Sequence, residues 1–271
     1  MKSFPAFGIM LRSKSQLDDL RELLQKNSGL PGPRANLELM YSFARSVGGM
    51  HLSDWQWDFI VEMASTSIAN APNNSRKEFL PVCGLTALGA LYGQGLPRPR
   101  RRVAIAALKK AASDHRWRVR EASAMGLQLI GEADPALLRE LVSGWLPESS
   151  LLEKRAIAAG LAHPPLLKDE QFALFALETA RTLAAAVTRL DPKGRQDEGF
   201  KILRQGLGYS LSVFVHHSPV EGFTLMRKLA AVQDRDMAWI IRENLKKKRL
   251  SDSFPAEVGQ VALIMAEVNP G

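Results

Sequence analysis

The chain has 271 residues, 46% of them hydrophobic and 7% aromatic, with a single cysteine and 36 Lys and Arg against 28 Asp and Glu. So much apolar content excludes a disordered or collagen-like chain, and a lone thiol, Cys83, excludes both an internal disulfide framework and a multi-thiolate metal site. The length suits one large domain spanning residues 1–271, for which a reducing cytoplasm is the expected compartment.

The N-terminal MKSFPAFGIMLR carries a short apolar run, broken by Pro5 and followed by no small-residue cleavage pattern, so no signal peptide is expected. Leu17, Leu20 and Leu24 then begin a series of helical spacings that continues through Leu37, Met40 and Ala44 and through Phe59, Met63 and Ala64. Between the first two sets, SGLPGPRANLEL at 28–39 predicts a rigid turn entering a helix. Pro31, Gly32 and Pro33 fix the entry, and Asn36 is placed for a local hydrogen bond.

Residues 79–97 carry no charge over 19 positions, close to the length of a membrane span. Pro81, Gly84, Gly89, Gly93 and Gly95 thin that stretch, while Leu85, Leu88 and Leu91 recur at helical spacing. It is therefore expected to be a buried helix, with no membrane as partner.

The segment that follows, RPRRRVAIAALKKAASDHRWRVR at 98–120, holds nine basic residues and one acidic. Its net +8 equals the formal charge of the whole chain, so the rest is balanced at 27 against 27. A local basic patch points to a local polyanionic partner, double-stranded DNA being one, or else to a solvated helix face. Within its first helix, Arg102, Lys109 and Lys110 cluster opposite an expected apolar side of Val103, Ala107 and Ala111. In the second, Val119, Ala122, Gly126, Leu129 and Ile130 form the apolar arc and Trp117 lies across from it, beside Arg120.

Self-similarity follows. VREASAMGL at 119–127 aligns with EKRAIAAGL at 153–161, and LTALGAL echoes both, with Gly89 falling on Gly126. The pattern D-x-x-W-x-x-R-E occurs at Asp114, Trp117, Arg120 and Glu121 and again at Asp236, Trp239, Arg242 and Glu243; Glu148 and Lys154 repeat the spacing of six. Breakers such as Gly48-Gly49, Gly131 to Pro135, His163 to Pro165 and Ser218-Pro219 divide the chain into helix pairs. The run Lys246 to Arg249 is expected to sit at the negative end of the helix that begins near Asp236.

These residues resemble the HEAT repeat, whose turn Asp and second-helix Arg have that spacing. The resemblance implies an all-α, right-handed α-solenoid of about a dozen helices in antiparallel pairs. From the spacing itself, an acid in the turn can cap the helix that follows and a base two turns on can reach the acid of a neighbouring repeat, in a ladder joining successive repeats. Small residues at Ala122, Gly126, Ala156 and Gly160 would let neighbouring helices approach closely.

No zinc-protease, phosphate-loop, dinucleotide or nucleophile-elbow motif occurs, so no catalytic residue, metal or cofactor is assigned. His216-His217 is expected at a helix end, and Cys83 as a small core residue. Aromatic rings beside guanidinium groups are the remaining chemistry, since rings stack bases and cationic forks hold phosphates. The candidate binding residues are Arg100, Arg101, Arg102, Arg116, Trp117, Arg118, Arg120, Trp239 and Arg242. Partly exposed Trp117 and Trp239 would be the stacking planes, unless they cover the ends of their own repeats.

The chain is also similar in size, basicity and helix count to the helical-repeat DNA alkylation-repair glycosylases, which carry a W-x-x-R near their C-terminal repeats. By that resemblance Trp239 would pack against a damaged nucleotide and Arg242 would contact its phosphate. The family's other element, a Trp with an Asp four residues later, is absent from Asp54-Trp55-Gln56-Trp57-Asp58, where Phe59 and Val61 occupy that register. The leading expectation is thus a non-catalytic scaffold that binds a polyanion, with a glycosylase-like protein as the alternative and an acidic protein segment as a further possible partner.

Overall fold

The computed structural model describes residues 7–268, and every regular element among them is helical. The all-α class expected from the sequence spacings is the one adopted. Contacts divide the chain into two compact units, Met1–Leu138 and Arg139–Gly271.

The first unit contains α1 (Phe7–Met10), α2 (Leu17–Lys26), α3 (Leu37–Gly48), α4 (Asp54–Ala64), α5 (Phe79–Gly93), α6 (Arg98–Ala112) and α7 (Trp117–Ala133), and α8 (Pro135–Trp145) begins in it. The second holds α9 (Leu151–Leu161), α10 (Glu170–Thr188), α11 (Glu198–His217), α12 (Pro219–Ala230), α13 (Arg235–Leu245), α14 (Lys248–Ser251) and α15 (Pro255–Val268). In each unit, helices two apart in sequence lie side by side. α3, α5 and α7 do so in the first, and α9, α11 and α13 in the second, with α4 against α6 and α10 against α12.

α5 is the hub of the first unit. Its apolar side chains surround it, leaving no polar stripe to face water, and every residue from Phe79 to Tyr92 is buried among α3, α4, α6 and α7. No described helix is long and apolar enough to cross a membrane. The Pro31–Pro33 turn ends as its residues require, with the Asn36 side chain accepting from Leu39 N at 3.1 Å to cap α3. Ser150, Asp169 and Asp197 start α9, α10 and α11 in the same way, whereas at the start of α4 the Gln56 Oε1 accepts from both the N–H and the hydroxyl of Ser53.

Gly89 and Gly126, which the internal alignment puts at equivalent positions, face each other where α5 crosses α7. A Cβ on Gly89 would lie 2.4 Å from Gly126 O, so the two backbones touch. On α6 the inward side is Ala104, Leu108, Ala111 and Ala112, one position round from the expected face, and Val103 is exposed.

The expected acid-to-base ladder is not formed. Asp114 pairs with Arg116 at 2.8 Å, while Arg120 donates to the carbonyls of Asp114 and His115 in its own turn. Lys154 bonds Ser149, not Glu148. Asp236 takes Arg195 at 2.8 Å and Arg204 at 2.9 Å, and Arg242 is exposed. Arg120 and Lys154 each take a carbonyl of the turn before their own helix, which is nearer than any carboxylate of another repeat.

The acids nonetheless lock the turns. Asp234 caps α13 through Asp236 N and Met237 N and also holds Arg195 at 2.5 Å. Burial by itself would raise the Asp234 carboxyl, but the Arg195 hydrogen bond, the two backbone donors and the guanidinium charge outweigh it and hold the group below the usual carboxylate range. Asp114 is lowered in the same sense, its burial outweighed by two Arg116 hydrogen bonds and their charge.

Two outcomes follow from this packing. Gly89→Val should force α5 from α7 and destabilise the first unit by about 3 kcal/mol or more, read as a fall in the urea midpoint. Because Asp234 titrates lower when folded than unfolded, its contribution is complete above the unfolded pKa of about 3.9 and disappears as pH falls through the depressed value. Urea midpoints measured between about pH 6 and pH 3 should therefore drop more steeply for the native chain than for Arg195→Met.

Candidate functional site

The basic segment 98–120 folds into α6, the turn and the start of α7, and most of its guanidinium groups turn inward. Arg100 donates to Leu52 O at 2.9 Å and Asp54 Oδ1 at 2.7 Å, 5.2 Å from the Trp57 ring centre. Arg101 donates to Leu96 O. Arg116 and Arg118, expected on a basic surface, are 2% and 6% exposed. Arg116 bonds Ala71 O, Thr66 O and both Asp114 carboxylate oxygens, and Arg118 bonds Gly32 O and lies 3.3 Å from buried Glu78. These groups close the interhelical turns, and the Pro31–Pro33 turn is held by one of them. Arg102 is exposed and Arg120 half-buried.

Trp117 is 47% exposed, as its place on the helical wheel predicts, with the Arg118 guanidinium 4.6 Å from its ring centre. It borders a shallow hollow lined also by Gly32, Pro33, Asn73 and Asn74. The cation beside this ring is already committed to Glu78 and Gly32, so the hollow lacks a free charge from Arg118.

The second unit brings aromatic rings and cations together differently. Lys201, Arg204, Gln205, Gly208 and Tyr209 fall at i, i+3, i+4, i+7 and i+8 of α11, a single helix face. That face and Trp239 and Glu243 of α13, with Lys247 just beyond it, line a groove of about 460 Å³. The indole edge of Trp239 rests on the α11 backbone because position 208 has no Cβ; one there would lie 2.9 Å from Trp239 Cζ3. The Arg204 guanidinium lies 4.0 Å from the centre of the indole and is anchored by Asp236, one turn before Trp239. Tyr209 is 51% exposed, and Arg249 both donates to its hydroxyl at 3.0 Å and lies 4.8 Å from its ring centre; Lys247 is at 5.8 Å.

The backbone beneath Tyr209 is fixed by a buried amide. Asn244 Oδ1 accepts from Ser212 N at 2.7 Å, and Asn244 Nδ2 donates to Leu207 O at 2.9 Å and to Ile240 O at 2.7 Å. A side chain from α13 thus enters the hydrogen-bond ladder of α11 beside Gly208 and Tyr209, a device that bends helices and re-aims the residues next to it. Ser212 Oγ donates back to Tyr209 O.

Of the residues expected from sequence, Trp239 alone lines this groove; Arg242 is exposed on the same helix but outside its lining. Lys201, Arg204, Tyr209, Lys247 and Arg249 are additions. The face of α11 is readable from its spacing; Lys247 and Arg249 follow the end of α13 at Leu245, the negative end where the sequence places them, and their side chains also reach Tyr209.

Glu243 pairs with Lys246 at 2.6 Å; that hydrogen bond is the main reason its carboxyl sits below the usual range, with the charges of Lys246, Lys247 and Arg242 adding to it. His216 and His217 end α11 as expected. His216 Nδ1 meets Arg249 O at 3.0 Å, and burial, then the charges of His216, Lys168 and Arg249, lowers His217. Cys83 is fully buried, and burial pushes its thiol well up. Among the described residues no three His, Cys, Asp or Glu side chains converge as a metal site would require.

No protein-family model matches the chain, and no curated protein matches it.

The burial of Arg116 gives a test that separates structure from binding. Arg116→Ala strands the Asp114 carboxylate and two carbonyls, and the expected loss is about 3 kcal/mol of stability by denaturant melting, against less than about 1 kcal/mol for Arg102→Ala on the exposed side.

Proposed function

We propose that the chain is a non-catalytic helical-repeat scaffold that binds nucleic acid or another polyanion. The observation that carries this reading is the α11–α13 groove, where Lys201, Arg204, Lys247 and Arg249 gather around Trp239 and Tyr209. Cations at such density neutralise phosphates and release their counterions, an affinity that needs no base sequence. The next-but-one helix packing in each unit supports the repeat reading, since stacked helix pairs place alternate helices side by side. Exposed Arg98, Arg102 and Lys110 of the first unit add basic surface. An acidic protein segment would meet the same cations but would leave the aromatic rings without a partner.

A second reading, base release from alkylated duplex DNA, has one observation in its favour. Glu243 lines the groove one helical turn after Trp239, the spacing at which the resembled glycosylases place a carboxylate, and it is held ionised. A carboxylate there would stabilise positive charge developing at a sugar as its base departs. Lys246 neutralises much of that charge, so the scaffold reading is preferred.

Duplex and single-stranded DNA binding measured from about 50 to 200 mM salt should show a negative logarithmic slope. Lys201→Glu with Lys247→Glu should reduce the slope by about 2, one for each lost phosphate contact. A slope of zero for every nucleic acid tried overturns the proposal. Release of alkylated bases by the native chain but not by Glu243→Gln would establish the second reading in its place.

A further inference from the structure

Resting on the polyanion reading of the same groove, we infer that its ligand is single-stranded nucleic acid, an unpaired stretch whose bases stack on Tyr209 while its phosphates meet the flanking cations. Three observations lead there.

The first is shape. The groove runs between two neighbouring helices, whose axes lie about 8–10 Å apart. Its α11 wall from Lys201 to Tyr209 is eight residues, about 12 Å, long. The hollow above their junction, about 460 Å³, admits an unpaired base with its phosphate and has no room for a duplex. A duplex would ride on the rim and touch only the ends of Lys201 and Lys247.

The second is the aromatic surface. A site that reads only phosphate needs cations and no rings, yet here a half-exposed phenol and an indole line the same groove as the charges. Every base has a π-face, so a ring in that position binds bases without regard to sequence. Arg204 extends the platform, for its guanidinium is already stacked on Trp239 at 4.0 Å and its charge is only partly met by Asp236.

The third is preorganisation. An exposed tyrosine on a helix ordinarily turns between rotamers, but Tyr209 is held at its hydroxyl by Arg249 and at its carbonyl by Ser212, beside the point where Asn244 enters the α11 ladder. Such fixing lowers the ordering cost of binding and is not needed to fill the core, from which the ring points away.

The test compares three probes: an oligothymidylate of about 12 nucleotides, inorganic polyphosphate of similar charge, and a duplex of the same length, whose two strands carry about twice that charge. They are titrated against the full chain and against Tyr209→Leu, which keeps apolar bulk and removes the π-face. Because Tyr209 is exposed, the variant should fold, and an unchanged circular dichroism melt verifies this. The expected result is that the oligothymidylate binds at least about ten-fold more tightly than the duplex, and that Tyr209→Leu weakens it by about 5- to 150-fold while leaving polyphosphate binding within about two-fold. Equal or tighter duplex binding, or an equal loss on polyphosphate, overturns the single-strand inference and leaves the polyanion reading standing. Absence of salt-dependent binding to all three probes overturns the polyanion reading itself.

Discussion

The fold depends on guanidinium groups that close the turns between helices. A turn between packed helices leaves carbonyls without intrahelical partners, and those at the buried side cannot turn to water. Arg116 meets the carbonyls of Thr66 and Ala71, Arg118 that of Gly32, Arg100 that of Leu52 and Arg101 that of Leu96. Arg195 does the same for Leu190 in the second unit while joining Asp234 and Asp236. An arginine serves where a lysine would not, because its planar fork reaches a carbonyl and a carboxylate at once.

This explains why so much of the architecture was legible in the amino-acid order and so much of the charge was not. Helices announce themselves through local period, so α2, α3, α4, α5 and α7 lie where apolar residues recur at helical spacing, and breakers such as Gly48, Pro135 and Pro219 fall at helix ends. The Gly89 and Gly126 echo is informative because close backbone approach requires a small residue at the crossing point. The D-x-x-W-x-x-R-E pattern also recurs, but its partners did not follow from spacing. Which carboxylate a guanidinium meets is decided by side chains from other segments: Asp236 meets Arg195 and Arg204, 41 and 32 positions away.

The same reasoning separates formal charge from available charge. Residues 98–120 account for the whole net +8, yet five of their arginines, at 100, 101, 116, 118 and 120, are bound to the chain's own oxygens. A guanidinium tied to carbonyls and buried beside its partner contributes little field outside, and an external phosphate would have to displace bonds that the fold needs. Residues 198–249 hold ten bases against five acids, an excess that is smaller and more spread out than that of 98–120. Folding sorts them: Asp234 and Asp236 are drawn into the turn with Arg195, and Lys201, Lys247 and Arg249 are left along one groove.

That sorting also ties the groove to the fold that holds it. Asp236 lies in the first turn of α13 and orients Arg204; Arg204 covers Trp239; Trp239 seats on Gly208; and Asn244, on the next turn of the same helix, holds the α11 backbone through Leu207 and Ser212. Each contact joins α11 to α13, so the spacing of the two helices and the placement of the rings are set by one set of bonds. A Cβ at position 208 would push the indole out, and loss of the Asn244 amide would leave Ser212 N without its acceptor inside the unit. Structural cost here is concentrated beneath the exposed ring of Tyr209 and not beneath Trp117, whose neighbouring Arg118 serves Glu78 and the Pro31–Pro33 turn. Of these two exposed rings, the one in the second unit is therefore the one whose position is fixed by contacts from both of the helices beneath it.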